Sequence, residues 1–167
     1  FVPQFRVKQE MGAALEAEDV HALMNMANHI HELYHARHAL EKYSEKLLKE
    51  IAPNLQAIAG TAIAAKLLRQ AGSLERLSIL PASTIQILGA EKAMFRYLTT
   101  KHAKMPKYGI LFQHPLIAKV SPQDKGKAAR GLADKIALAS KVDRFKGKPI
   151  AAELIRDLER RFGTWKI

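Results

Sequence analysis

Ser121–Phe145, SPQDKGKAARGLADKIALASKVDRF, is the stretch from which the rest of the chain can be read. A hydroxyl, a proline and a carboxylate stand in the order that suits N-cap, N1 and N3, so a helix is expected from Ser121 to about Val142. At about 100° per residue, Ala129, Leu132, Ile136 and Ala139 gather on one side, and Lys127, Arg130, Asp134 and Lys141 on the other. One face docks into a core and the opposite, cationic face is offered outward.

The positive surplus continues upstream to Gly89. Lys92 and Arg96 stand four apart on a helix expected from Glu91 to Leu98, and a loop from Thr99 to Lys107 carries Lys101, Lys104 and Lys107 around Pro106. A solvated charged face would explain one such helix. The same surplus on a helix, a loop and a second helix favours a folded surface for a polyanion, RNA or DNA. Gly89 and Ala90 are small, which suits either a simple helix break or close approach of a partner backbone or RNA to amides that favour phosphate. Glu91 is a candidate for pairing with a basic residue of a protein partner. Ile110-Leu111-Phe112 is the only strand-like run and is too short for a sheet, and Gln113 and His114 are expected to shape the turn at Pro115.

Charge is unevenly shared along the 167 residues, whose formal net charge is +11. Residues 1–60 hold six basic and eight acidic side chains, and residues 61–167 hold twenty-one and eight. A near-neutral scaffold therefore precedes an electrostatic footprint. The scaffold part is expected to be a long helix from about Ala17 to Ile51, opened by Glu16, Glu18 and Asp19. Met26, Leu33, Leu40 and Leu47 recur every seven residues, and Leu23, Ile30 and Ile51 fall on the other seam position, interrupted by Arg37 and Ser44. Such a stripe needs a partner helix, supplied by upstream sequence or by another chain.

His31, His35 and His38 share one face of this arm, at spacings that can hold zinc or nickel. They occupy outer heptad positions with no HExxH carboxylate among them, so a solvated surface is the preferred reading and no metal is expected; His29 sits beside the seam. Beyond Pro53-Asn54, an Ala-rich helix from about Leu55 to Ala71 is expected to place Ile58, Ile63, Leu67 and Leu68 in the core and to stop at Gly72. Ser73 then caps a short helix through Leu77, and Pro81 and Ser83-Thr84 open another segment. The tail, Pro149 to Phe162, reads as an amphipathic helix with Ile150, Leu154, Ile155 and Leu158 inward.

The sequence contains no Cys, so neither a disulfide framework nor a thiolate zinc site is available. No apolar run approaches the ~20 residues of a bilayer span. The chain opens on Phe1 rather than Met, so further sequence is expected upstream. Catalysis finds no support in the basic region, which lacks a Ser-His-Asp set, a phosphate loop or paired carboxylates. A generic basic nucleic-acid binder and a metal-dependent enzyme using His31, His35 and His38 stand as the alternatives.

PASTIQILGAEKAMFR, PKYGILFQHPLI and GKAARGLADKIALASKVDRF, in this order and spacing, resemble the Nop domain of archaeal box C/D ribonucleoprotein scaffolds and their nucleolar and spliceosomal relatives. HELYHARHALEKY and IAPNLQAIAG resemble the family's arm and its junction, so the likeness runs from about Met11 to Phe145. It implies an all-α architecture, with a coiled-coil arm over residues 1–50 and a compact helical Nop domain over 51–167. The implied role is a non-catalytic scaffold without a cofactor, binding a kink-turn guide RNA together with a ribosomal-protein-like kink-turn binder. It also implies homodimerisation through the arm, and fibrillarin-dependent ribose 2′-O-methylation through an amino-terminal domain upstream. The setting would be cytoplasmic in an archaeon and nucleolar in a eukaryote. RNA contacts carry over to Lys107, Arg130 and Lys141, joined by Lys92, Arg96 and Lys127 from the charge pattern, with Gly89, Ala90 and Glu91 as the composite interface. Relatives in the spliceosome carry a stacking His at the place of Lys107, so a phosphate contact is expected here instead.

Overall fold

A computed structural model describes residues 16–100, 102 and 104–165. Lys101 and the first fifteen residues, including the start of the family resemblance at Met11, lie outside them. The described residues are α-helical apart from connecting turns and one 3₁₀ turn, with no strand among them. No described helix is long and apolar enough to cross a membrane. The chain divides into one unit ending at Glu41 and a second beginning at Lys42.

Helix α1 spans Ala17–Ile51, with Glu18 and Asp19 in its first turn, where they complement the helix dipole. Every described side chain of the first unit is exposed. The heptad residues Leu23, Met26, Ile30, Leu33 and Leu40 are thus open apolar surface. Polar support is local: Arg37 donates to Glu41 at 2.9 Å.

In the second unit, the end of α1 contributes Leu48 to the core. There follow α2 (Pro53–Ala59), α3 (Thr61–Ala71), α4 (Leu74–Ile79), α5 (Ala82–Ile87) and α6 (Glu91–Thr99). A 3₁₀ turn (Ile110–Gln113) then leads to α7 (Pro115–Lys119), α8 (Lys125–Arg144) and α9 (Ala151–Phe162). Helix α8 is the centre, packed by α2, α4, α5, α7 and α9. Its faces divide as the sequence implies: Ala129, Leu132, Ile136 and Ala139 are fully buried, whereas Lys127, Arg130, Asp134 and Lys141 are exposed. Burying a Leu or Ile here contributes about 1.5–3 kcal/mol, so this face anchors the unit.

The single helix expected over 55–71 is two. Gly60 takes φ 76° and ψ 156° and ends α2, its N–H donating to the Gln56 carbonyl at 2.8 Å. An L side chain is strained at that φ, which explains the glycine. Gly72 ends α3 as expected, in the left-handed conformation at φ 90°. Ser73 caps α4 by accepting from the Arg76 N–H at 3.1 Å, and the helix runs two residues past Leu77 to Ile79.

The start of α8 also differs from its expectation. Residues 122–124 form a turn and the helix begins at Lys125. The Ser121 carbonyl accepts from Asp124 and Lys125 amides, while its hydroxyl donates to the Asp124 carboxylate at 2.9 Å instead of capping the helix. Asp124 also receives Lys127 Nζ at 3.0 Å; these bonds, Lys127's first, hold its carboxyl below the usual range. Ile110-Leu111-Phe112 forms the 3₁₀ turn and not a strand. Gly109 N–H and Ile110 N–H are drawn to the carbonyls of Gln86 and Leu88, at 3.0 and 2.8 Å, and no strand among the described residues pairs with the run. Phe112 stacks on Tyr108 with centroids 4.9 Å apart, and Lys125 of α8 sits 5.3 Å from its ring.

His114 does shape the turn before α7. Fully buried, it donates from Nε2 to the Ile58 carbonyl at 3.0 Å and accepts at Nδ1 from the Leu116 N–H at 3.2 Å. That pairing requires the neutral ring, and burial lowers the pKa from its ordinary 6.5 against the raising effect of the Ile58 carbonyl. The unfolded chain therefore takes up the proton first as pH falls, so stability is complete above 6.5 and declines below it. Thermal melts between about pH 7.5 and 5 are expected to show this loss, at up to about 1.4 kcal/mol per pH unit, and His114→Gln to lessen the dependence. Equal slopes in the two proteins would refute the assignment. Trp165, which sequence left without a role, packs edge-on to this imidazole with centroids 6.0 Å apart.

Three segments meet at Asn54 and Asp143, both buried. Pro53, at the first turn of α2, lacks an N–H; the next two amides, Asn54 and Leu55, donate to the Asp143 carboxylate at 3.1 and 2.8 Å. Asn54 Nδ2 donates to Asp143 Oδ1 at 2.7 Å, and its Oδ1 accepts from Ile150 and Ala151 amides at 2.8 and 3.0 Å. The pair thus caps α2 from α8, and α9 from α2. In α9, Leu154 and Leu158 are buried and Ile150 and Ile155 pack partly against the core, as expected. An ion pair between Lys135 and Asp157 joins α8 to α9.

Candidate nucleic-acid interface

A cleft of about 810 Å³ opens in the second unit between α5, the start and outward face of α8, and the segment before Gly109. Lys107, Lys127 and Arg130 line it, and all three are exposed. Lys107 comes from the loop before Gly109, and Lys127 and Arg130 from α8, 20 or more residues further along the chain. The loop is held by a reciprocal clamp: Gln86 Nε2 donates to the Lys107 carbonyl at 2.6 Å, and the Gly109 N–H donates back to the Gln86 carbonyl at 3.0 Å. Ser83 and Thr84 add hydroxyls to the lining, while Ile87, Met94, Met105 and Pro106 add apolar surface. Asp134 is the acidic residue on this wall.

The three cations differ in availability. Lys127 is engaged by Asp124, whereas among the described residues Lys107 and Arg130 join no carboxylate. Arg130 can offer its planar fork to a phosphate and Lys107 a point charge, each strongest when the anion excludes water. Lys92, Arg96 and Lys141 are exposed but do not line the cleft. Lys92 and Arg96 lie on α6, none of whose residues is buried; Phe95 and Leu98 there are each 67% exposed. That apolar surface was not singled out in the sequence. Neither was Gln86, since a lone polar residue among isoleucines gives no signal of a clamp.

Gly89, Ala90 and Glu91 form the corner between α5 and α6. Gly89 has φ 86°, and a Cβ there would stand 2.5 Å from Ile110 Cγ1, so the chain's own packing already requires glycine. Glu91 accepts from the Gly89 N–H at 2.7 Å and from Gln70 Nε2 at 3.1 Å, closing its own helix start and tying it to α3. On the arm, the His31 and His35 rings meet edge-on, centroids 4.4 Å apart. Among the described residues no group of three or more His, Cys, Asp or Glu side chains could hold a metal ion.

The model of the Nop family, described as snoRNA binding domain, fibrillarin, matches residues 2–163. The chain belongs to the Nop family. This Nop chain is 44% identical over 154 residues to a NOP5 family protein of Methanocaldococcus jannaschii, covering 92% of this chain and 37% of that protein. It is 44% identical over 138 residues to nucleolar protein 58 of Schizosaccharomyces pombe, 83% of this chain and 27% of that one. With mouse nucleolar protein 56 the identity is 38% over 162 residues, 95% and 28% of the two chains. It thus spans between 27% and 37% of these relatives' length. Its fold is similar to a chain in the crystal structure of a fibrillarin/Nop5p complex, with TM-score 0.67 and 37% identity over 87% of this chain and 57% of that one.

Proposed function

We propose that this Nop chain is the RNA-binding part of a non-catalytic box C/D ribonucleoprotein scaffold. The observation that carries the reading is the convergence of Lys107, Lys127 and Arg130 on one cleft in a chain of this family. Its ligand is a kink-turn guide RNA already bound by a ribosomal-protein-like partner. Lys107 and Arg130 contact phosphate in the cleft, with Lys92, Arg96 and Lys141 extending the field outside it. The corner at Gly89, Ala90 and Glu91, with the open apolar side chains of α6, faces the protein partner.

The two parts divide the labour. Residues 51–167 bind RNA and its protein, and residues 1–50 form the arm whose open heptad seam pairs with a second copy of the chain. Fibrillarin joins through the longer protein's amino-terminal portion, so that the assembly supports 2′-O-methylation. The setting is nucleolar in a eukaryote and cytoplasmic in an archaeon.

Phosphate contacts make affinity fall with salt, with a log–log slope of about 0.9 per neutralised phosphate on a duplex. Both key cations are exposed, so Arg130→Ala and Lys107→Ala are expected to fold normally. Each should weaken the ternary complex by roughly tenfold or more, the worth of one charge-assisted contact. Gel shift on a kink-turn RNA with the partner present measures this. Equal binding by wild type and both variants would remove the site assignment; partner-independent binding to any duplex would reduce the chain to a generic binder.

A further inference from the structure

The outward stripe of α8 does not end with the cleft. Lys127, Arg130, Asp134, Leu138, Lys141 and Phe145 fall within an arc of about 80°, along about 27 Å of helix. The first three line the cleft and the last three lie beyond it. In this outer half, Leu138 is 46% exposed and Phe145 76% exposed. Leu138 and Phe145 are thus large apolar side chains left open on the cationic face of a core helix. Both lie in line with the cleft along the outward stripe of α8.

The backbone that carries Phe145 is hydrogen-bonded in place. Its amide and those of Lys146 and Gly147 donate to the carbonyls of Lys141, Asp143 and Val142, at 3.2, 3.2 and 2.9 Å. Lys146 adopts φ 50°, a left-handed conformation uncommon for a side-chain-bearing residue, and a Cβ on Gly147 would meet Val142 Cγ1 at 2.9 Å. The guanidinium of Arg144, itself fixed by Glu75, lies 5.4 Å from the Phe145 ring centroid. An aromatic ring braced by a cation and still mostly open is a platform for a flat, electron-rich partner. The neighbouring Lys141, Lys146 and Lys148 are exposed, and among the described residues none of them joins a carboxylate. The nearby Asp143 is buried in its helix-capping bonds. An anionic, base-bearing occupant fits this chemistry better than a protein surface.

We propose that the outer half of the α8 stripe is a second RNA subsite, where an unpaired nucleotide leaving the cleft stacks its base on Phe145 while Lys141 and Lys146 hold flanking phosphates. The inference rests on the cleft being the kink-turn site. It is tested with two RNAs, a blunt-ended kink turn and the same kink turn extended by a single-stranded tail of about five nucleotides, with 2-aminopurine in the tail. Each is titrated with the full chain and a kink-turn binder present. Phe145→Ala is expected to weaken the tailed RNA by about tenfold and to abolish the quenching of 2-aminopurine, while leaving the blunt RNA unchanged; Phe145→Trp should restore both.

Phe145 is exposed, so an unchanged melting temperature accompanies the variant. Tailed RNA bound equally by wild type and Phe145→Ala, with the blunt kink turn still bound, overturns this subsite alone. Equal weakening of both RNAs overturns it in favour of a protein contact. Failure of wild type to bind even the blunt kink turn removes the proposed function and the subsite with it.

Discussion

Asp143→Ala is expected to destabilise the second unit by roughly 3–5 kcal/mol, and to lower its melting temperature by on the order of 10 °C. The carboxylate accepts three hydrogen bonds, from the Asn54 and Leu55 amides and Asn54 Nδ2. Truncation leaves all three donors buried, and each unsatisfied donor costs about 1–3 kcal/mol. The neighbouring cap offers no rescue, because Ala52, the residue at the N-cap of α2, has no side chain able to accept. Two companion variants separate capping from packing. Asn54→Ala abandons the Ile150 and Ala151 amides as well as Asp143, so it should be as costly as Asp143→Ala. Asn54→Asp keeps the size but turns a donor at 2.7 Å from Asp143 into a second carboxylate oxygen, and should be no better at neutral pH. Thermal and urea unfolding measure all three; a loss under ~1 kcal/mol for Asp143→Ala would refute the capping account.

What the sequence could and could not convey follows the range of the interactions. Helix α1 and the two faces of α8 were legible because periodicity is local: each residue's side is fixed by its neighbours three and four positions away. Gly72 and Ser73 were legible for the same reason, since a cap is made within one turn. Gly60 was missed because the run around it, broken by Thr61 but rich in alanine, reads as one continuous helix. Only the observed backbone shows that the chain bends there. The Ser121 cap was misassigned because Asp124 competes for the hydroxyl and Lys127 competes for Asp124, a contest that spacing alone does not settle. Asn54 and Asp143 are 89 residues apart and carry no mutual signal in one sequence. For the site, the charge pattern and the resemblance together named the three cations of the cleft. Neither could separate them from Lys92, Arg96 and Lys141, because lining a cleft is a property of the assembled elements.

Gly109→Ala should damage both the fold and the cleft, and it tests whether the clamp on Lys107 matters for RNA. A Cβ at this position would stand 2.0 Å from the Leu88 carbonyl oxygen and 2.8 Å from that of Ile87. Both are backbone atoms, so no side-chain rotation relieves the overlap, and the segment must move away from α5. That movement breaks the bonds from Gly109 and Ile110 to Gln86 and Leu88, and with them the geometry that directs Lys107 into the cleft. A stability loss of roughly 2–4 kcal/mol is expected, in the range of severe overpacking. The ternary complex should weaken by at least as much as in Lys107→Ala, at temperatures where the variant is still folded. Gly126 is the control. It lies in the first turn of α8 on the opposite wall, and a Cβ there meets only Lys107 Cδ at an ordinary 3.9 Å. Gly126→Ala should therefore be neutral or stabilising by up to about 1 kcal/mol, as alanine is the better helix former. Opposite signs for the two glycines, read by thermal melts, would tie the close approach to Gly109 specifically; equal melting of Gly109→Ala and wild type would show that the loop reaches the cleft by another path.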